Sequence, residues 1–130
     1  MRVDVRKADD VLLVDLDGSL VAGVGDDLLR DVMNELVAEG WTKIVLNLSK
    51  VVRIDSAGIG ELVGGIRLAG RFGTAVRLVH VEGQVRNVLE MSRVLPLLEV
   101  HTTEAEALAH FGVSGPPIAA PEAMPAAARN

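Results

Sequence analysis

The sequence predicts one α/β domain, with a mixed β-sheet, an N-terminal β-hairpin and packed α-helices. Two apolar runs near the N-terminus flank a short turn, which is typical of a hairpin. Further along the chain, β-branched runs alternate with segments whose apolar residues recur at helical spacing, and this order favours parallel connections. The length of 130 residues suits one hydrophobic core rather than two. We therefore expect a folded domain over residues 1–113.

The hairpin is expected at residues 2–7 and 11–17. The two apolar runs lie on either side of KADD, whose Asp9 and Asp10 are suited to a tight turn. Gly18 is predicted to end the second strand. The loop VAGVG then leads to a first helix.

The first helix is predicted to begin at Asp26 as its N-cap and to stop at Gly40, a typical C′ glycine. Its apolar residues repeat at helical spacing: Leu28, Leu29, Val32, Met33, Leu36 and Val37. The run TKIVLNLS, residues 42–49, follows as a strand that helices cover on both sides.

The second helix follows the stretch RIDSAGIGELVGG, residues 53–65. Ser56 is the predicted N-cap, because a serine between a strand and an apolar-periodic segment commonly caps a helix. One helical face is formed by Ile59, Leu62, Val63, Ile66 and Ala69. The glycines at 58, 60, 64 and 65 fit neither G-x-G-x-x-G nor a P-loop, so we interpret them as allowing close packing on the sheet.

The remaining pattern predicts a strand at 74–81, a helix at 84–94, a strand at 97–101 and a helix at 102–112. Thr103 with Glu106 fits a capping box at the start of the last helix, and Gly112 fits its end. Residues 114–130 are rich in Pro and Ala without a periodic apolar face. This composition predicts a disordered tail.

Composition narrows the classes of function. The net charge is −5, the arginines are dispersed, and Trp41, Phe72 and Phe111 are the three aromatic residues, which disfavours nucleic-acid binding. The absence of cysteine excludes disulfides, thiolate catalysis and Cys-based zinc sites. The charged N-terminus does not resemble a signal peptide and no apolar run could span a bilayer, so we expect a cytoplasmic protein without membrane insertion.

No catalytic residue, metal ligand or cofactor is predicted. Ser56 lacks the G-x-S-x-G context of a hydrolase nucleophile, and His80, His101 and His110 lie at strand ends or a helix C-terminus. The N-terminal third is acidic but lacks the ligand spacing of a calcium loop. We interpret its aspartates as turn residues, caps and a solvated face: Asp4, Asp10, Asp15, Asp17, Asp26, Asp27 and Asp31.

The segment VLNLSKVVRIDSAGIGEL, residues 45–62, resembles the signature of the STAS domain of bacterial anti-sigma-factor antagonists. In that family an aliphatic strand precedes Asp-Ser-[Ser/Thr/Ala]-Gly-[Leu/Ile] at the start of a helix. Residues 55–59 match this pattern position by position, and Ala57 leaves Ser56 as the one hydroxyl residue of the motif. The order of elements matches over about residues 1–112.

The resemblance implies a non-enzymatic regulator controlled by phosphorylation. It implies that Ser56 is phosphorylated by an anti-sigma factor that is itself a serine kinase, that the unphosphorylated form binds this partner, and that a serine phosphatase restores binding. The phosphorylation site is thus predicted at Ser56. The predicted partner-binding residues are Asp55, Ser56, Ala57, Gly58, Ile59 and Gly60.

One departure from the family keeps other functions open. Family members often carry Gly-Glu-Leu-Asp after the second strand, whereas this chain has Gly18, Ser19, Leu20 and Val21 and so lacks two carboxylates. The alternative is a STAS subunit that is not phosphorylated and serves as a scaffold in a signalling complex or as an accessory to a transporter ATPase. A small enzyme or nucleotide-binding protein is the third class.

Overall fold

The computed structural model describes residues 1–112 and the backbone of residues 122–123. The strands are β1 Arg2–Ala8, β2 Val11–Leu20, β3 Lys43–Ile54, β4 Ala75–Val79, β5 Glu99–His101 and β6 Glu122–Ala123. The helices are α1 Asp26–Ala38, α2 Ser56–Arg71, α3 Gly83–Met91 and α4 Glu104–His110. The predicted disorder of residues 114–130 concerns positions that lie outside the described residues, apart from the β6 pair.

The sheet has the order β5-β4-β3-β2-β1-β6. β1 and β2 form the predicted antiparallel hairpin around Asp9 and Asp10, and β2 through β5 run parallel. β6 pairs antiparallel with β1 at Asp4 and Val5. The predicted mixed sheet of the α/β class is therefore confirmed.

Both faces of the sheet are covered. Alternate residues of a strand point to opposite faces, and on β3 Ile44 belongs to the larger core cluster whereas Val45 belongs to the smaller one. The helices α1, α2 and α3 supply the larger cluster, and α4 supplies the smaller one through Ala107 and Leu108. The prediction that helices cover this strand on both sides is confirmed.

β2 and β3 are both longer than the sequence pattern predicts. Gly18 does not end β2, which continues to Leu20, and β3 runs to Ile54 instead of stopping near residue 49. The two strands remain paired through Leu20 and Ile54 because irregularities between Asp15 and Asp17 and after Gly18 absorb the change of register. As a result the β2–α1 loop, residues 21–25, emerges beside the start of α2.

Gly25, not Asp26, is the N-cap of α1, so the predicted cap was wrong by one residue. Gly25 has φ of 99°, a left-handed conformation that favours glycine, and a Cβ there would lie 2.5 Å from the Ser19 carbonyl oxygen. Asp26 is the first helical residue, and its Oδ1 accepts the N–H of Gly23 at 3.0 Å. Its carboxylate thus stabilises the loop that precedes the helix.

The C-terminal elements are shorter than predicted. α3 ends at Met91 and a short 3-10 turn, Leu95–Leu97, leads to the three residues of β5. The predicted cap of α4 is confirmed, since the Thr103 hydroxyl accepts the N–H of Glu106 at 3.1 Å. The Glu106 carboxylate in turn accepts the N–H of Thr102 at 2.9 Å, and this bond lowers the pKa of Glu106.

Candidate functional site

The residues of the predicted motif meet the β2–α1 loop at the carboxyl ends of β2 and β3. The carboxyl ends of parallel strands are a common place for functional sites in α/β proteins. The Leu20 carbonyl accepts the N–H of Asp55 at 3.3 Å, which joins the end of β2 to the residue before α2. We call residues 55–60 the motif segment and residues 21–25 the adjacent loop.

Asp55 is the N-cap of α2, so the assignment of this role to Ser56 was wrong. Its backbone is extended, and its Oδ1 accepts the N–H of Gly58 at 3.0 Å. Its Oδ2 accepts the N–H of Ala22, in the adjacent loop, at 3.1 Å. The Gly58 and Ala22 bonds both favour the ionised carboxylate and hold the pKa of Asp55 below its ordinary value.

Ser56 is the first residue of α2 and is exposed. Its hydroxyl makes no hydrogen bond to any of the described residues. Because Asp55 performs the capping, the Ser56 side chain is not needed to begin the helix. The hydroxyl is therefore accessible to a modifying enzyme without loss of a structural contact.

The close packing around Gly58 leaves no space for a side chain at this position of the motif. A Cβ on Gly58 would lie 1.9 Å from the Leu20 carbonyl oxygen and 3.0 Å from Ile54 Cγ1. The general prediction of close packing on the sheet is thus confirmed at Gly58 alone. Gly60 and Gly64 face open space, and Gly65 would contact Met33 of α1 rather than the sheet.

Only part of the motif segment is exposed to solvent. Ser56 and Gly60 are exposed, Gly58 is buried, and Ile59 packs against the larger core cluster. Asp55 and Ala57 are half-buried. The exposed positions provide surface, whereas Gly58 and Ile59 fix the segment on the domain.

The elements that adjoin the motif segment in the chain or the sheet carry exposed apolar side chains. Val52, near the end of β3, is 64% exposed, and Val24 in the adjacent loop is 48% exposed. Leu28, in the first turn of α1, is 36% exposed. Exposed aliphatic groups are suited to protein contact rather than to binding a small polar substrate.

Arg53, exposed at the end of β3, and residues of α1 and α2 supply charges near the motif. Ser19 and Val21 supply none, as the sequence indicates, but Asp27 in the first turn of α1 pairs with Arg30 at 2.8 Å. Arg30 also reaches Glu61 of α2 at 3.3 Å, and these two carboxylates raise its pKa. An ion pair between the two helices therefore begins at Glu61, the residue that directly follows the motif segment.

The histidines make contacts of their own elsewhere. His80 and His101 line a groove of about 580 Å³ at the carboxyl ends of β4 and β5. His101 Nε2 lies 3.2 Å from an Arg77 nitrogen, and the His101 ring lies 4.5 Å from the ring of His110, tilted by 46°. No hydrogen bond or ion pair among residues 1–112 joins a histidine to Ser56.

The predicted aspartate roles are partly different in the structure. Asp10, in the hairpin turn, pairs at 2.8 Å with Lys43 at the start of β3, and this contact lowers the pKa of Asp10. Asp15 lies in the predicted second strand, but its side chain is half-buried and binds Arg6 at 2.8 Å instead of lying on a solvated face. Within the described residues, no group of three or more acidic or histidine side chains is arranged to hold a metal ion.

Sequence reasoning missed the polar cluster around Arg6. The guanidinium binds Asp15 and also Glu104 of α4, and both hydrogen bonds raise its pKa. The amide of Asn47 donates to the same two carboxylates, at 3.1 Å and 3.3 Å. This cluster holds α4 on the smaller core face. The one sequence signal for this cluster is the presence of polar residues within otherwise apolar strands.

The longest described helix, α2, has 16 residues. Among the described residues, no helix has both the length and the apolar character that crossing a bilayer requires.

Comparison with known proteins gives consistent matches. The model of the STAS domain family matches residues 2–107. The anti-sigma F factor antagonist of Paenibacillus polymyxa is 26% identical over 114 residues, which are 87% of this chain and 97% of that protein. The crystal structure of TM1081 from Thermotoga maritima is 26% identical, with a TM-score of 0.74 over 82% of this chain and 91% of that one. The phosphorylated form of SpoIIAA from Bacillus shares the fold, with a TM-score of 0.63 at 21% identity over 84% of this chain and 98% of that one.

Proposed function

The chain belongs to the STAS domain family, and we propose that it is an anti-sigma-factor antagonist whose binding to an anti-sigma factor is controlled by phosphorylation of Ser56. The proposed partner is a serine kinase as well as an anti-sigma factor. It binds the motif segment when Ser56 is unmodified and releases it when Ser56 carries phosphate. A serine phosphatase returns the protein to its binding form.

The observation that carries this proposal is the exposed, unbonded hydroxyl of Ser56 directly after the capping Asp55. A kinase must bring the hydroxyl oxygen in line with the γ-phosphorus of ATP. The phosphorus–oxygen bond to Ser56 then forms as the bond to ADP breaks, and the hydroxyl proton passes to a base of the kinase. An exposed serine on a rigid helix start can meet that geometry without unfolding.

The physical effect of the phosphate is a large local charge. Phosphoserine adds about −1.5 to −2 charges at neutral pH. The first turn of α2 tolerates negative charge because the helix dipole is positive there. The phosphate would nevertheless stand beside the Asp55 carboxylate on a surface that the partner must desolvate. Partner binding is thus lost while the fold remains.

The apolar surroundings indicate how the unmodified form binds. Val24 in the adjacent loop and Val52 near the end of β3 offer exposed aliphatic surface, and Gly60 leaves room for close approach of a partner. Burial of these groups favours association by the hydrophobic effect. The partner should therefore present an apolar contact surface to this edge of the domain.

Phosphorylation can be tested with purified proteins. Each anti-sigma-factor kinase encoded in the genome of origin is incubated with this protein and ATP, and intact mass is measured. We expect one kinase to add a single phosphate to the wild type and none to Ser56→Ala. The Ser49→Ala variant is a matched control, since Ser49 is another exposed serine, in the middle of β3. If no kinase modifies the protein, or if Ser56→Ala is still modified, the proposal is wrong.

A further inference from the structure

Asp55 connects the motif segment to the adjacent loop through two separate oxygens. Oδ1 accepts the N–H of Gly58 within α2, and Oδ2 accepts the N–H of Ala22, 33 residues away in sequence. The Ala22 bond is the one hydrogen bond in the described part of the chain that joins residues 21–25 to residues 55–60. The Asp55 carboxylate is therefore hydrogen-bonded to both the motif segment and the adjacent loop.

The adjacent loop is otherwise held by contacts within itself and with the start of α1. Val21 and Val24 exchange two backbone hydrogen bonds, at 3.1 Å and 2.9 Å, and Asp26 binds the N–H of Gly23. These bonds maintain the turn but do not attach it to α2. The bond between Ala22 and Asp55 therefore adds a direct link between the loop that carries Val24 and the start of α2, beyond the link that Leu20 makes at the end of β2.

We propose that Asp55 is a positioning residue that transmits phosphorylation of Ser56 to the adjacent loop. This inference rests on the proposed function and concerns the regulation of the same site. Phosphate on Ser56 places a strong anion and additional acceptor oxygens beside Asp55. Repulsion between the anions and competition for N–H groups weaken the bond from Ala22, and residues 21–25 are released from the position that the partner recognises.

The consequence is a switch with two effects. The phosphate repels the partner at Ser56, and the loosened loop removes Val24 from the ordered apolar edge of the surface. The second effect requires Asp55, whereas the first does not. Variants of Asp55 can therefore separate them.

The amide of Ala22 reports on the bond directly. Its hydrogen exchange is measured by NMR in the full chain for the wild type, Asp55→Asn and Asp26→Asn. Asparagine keeps one acceptor oxygen for the Gly58 N–H, but its NH₂ group cannot accept from Ala22. We expect Ala22 to exchange roughly ten-fold faster in Asp55→Asn, as loss of one hydrogen bond to a charged group implies, with a much smaller change at Gly58.

Asp26→Asn is the matched control. It removes one negative charge beside the same loop, but the Gly23 N–H is held by one oxygen, which asparagine retains. Ala22 exchange should therefore remain at the wild-type rate. Equal acceleration in both variants would overturn the inference, because it would indicate a general effect of charge.

The effect of phosphate is tested with phosphoserine installed at position 56 during translation, so that the result does not depend on any kinase. We expect Ala22 exchange to increase several-fold relative to the unmodified protein. An Ala22 rate unchanged by phosphoserine would overturn the inference and leave the proposed function intact. Failure of every kinase to modify Ser56 would contradict the proposed function, but it would not alter the phosphoserine result.

Discussion

The backbone of Leu20 occupies the space that a side chain at Gly58 would need: a Cβ there would lie 1.9 Å from the Leu20 carbonyl oxygen. The same carbonyl accepts the N–H of Asp55 at 3.3 Å. The end of β2 and the first turn of α2 are therefore packed backbone to backbone. This contact places Ser56 at a fixed position on the domain surface.

The Gly58→Ala variant should be substantially less stable than the wild type. The added methyl group meets backbone atoms, which cannot move aside as a flexible side chain can, so we expect a loss of about 2 kcal/mol or more in the free energy of unfolding. Gly60→Ala is the control, since nothing lies within 4 Å of its added Cβ. It should gain about 0.5–1 kcal/mol from helix propensity. Urea denaturation of both variants checks the prediction, and similar free energies of unfolding for the two variants would contradict it.

The location of the helix cap predicts that replacing Asp55 lowers the thermal unfolding midpoint, whereas replacing its neighbour Ser56 does not. Asp55→Ala removes the acceptor for the Gly58 and Ala22 N–H groups, so its thermal unfolding midpoint should fall. Ser56→Ala removes a hydroxyl that makes no bond within the described structure, so its midpoint should match the wild type. Differential scanning calorimetry distinguishes the two. A larger loss for Ser56→Ala would mean that serine is the cap after all.

The lowered pKa of Asp55 predicts a dependence of stability on pH. Because the pKa is lower in the folded protein than the value of about 3.9 expected in the unfolded chain, the ionised carboxylate stabilises the fold above that value. This contribution is lost as the pH falls through 4 towards the folded pKa. The stability difference between the wild type and Asp55→Asn should therefore be constant from about pH 8 to 5 and shrink below about 4. A difference that grows on acidification would contradict this sign.

The Arg6 cluster predicts that replacing Arg6 destabilises the fold much more than replacing Arg2, the other arginine of β1. The Arg6 side chain is 15% exposed between the carboxylates of Asp15 and Glu104, so Arg6→Met leaves two half-buried anions unpaired. We expect urea denaturation to show a free energy of unfolding lower by about 2–3 kcal/mol at neutral pH, with a smaller difference in acid. Arg2→Met is the control, because Arg2 is 69% exposed and its pair with Asp4 contributes about 0–1 kcal/mol. Equal losses for the two variants would rule out a special role for the cluster.

The sequence predicted the element order and the position of the motif because hydrophobic periodicity and turn residues are local signals. It misplaced the cap, since Asp and Ser are both good N-caps and the choice depends on Leu20 and Ala22, which are distant in sequence. It ended β2 at Gly18 for the same reason: continued pairing with β3 is a tertiary effect that outweighs the glycine. The link between the adjacent loop and Asp55 has no local signature.

The measurement that tests the central claim most directly is the affinity of the anti-sigma factor for three forms of the protein. These forms are Ser56→Ala, Ser56→Asp and the chain carrying phosphoserine at 56, and isothermal titration calorimetry with the kinase that modifies Ser56 gives each Kd. The account predicts the strongest binding for Ser56→Ala, weaker binding for Ser56→Asp and the weakest binding for phosphoserine. Equal affinity for Ser56→Ala and the phosphoserine form would contradict it.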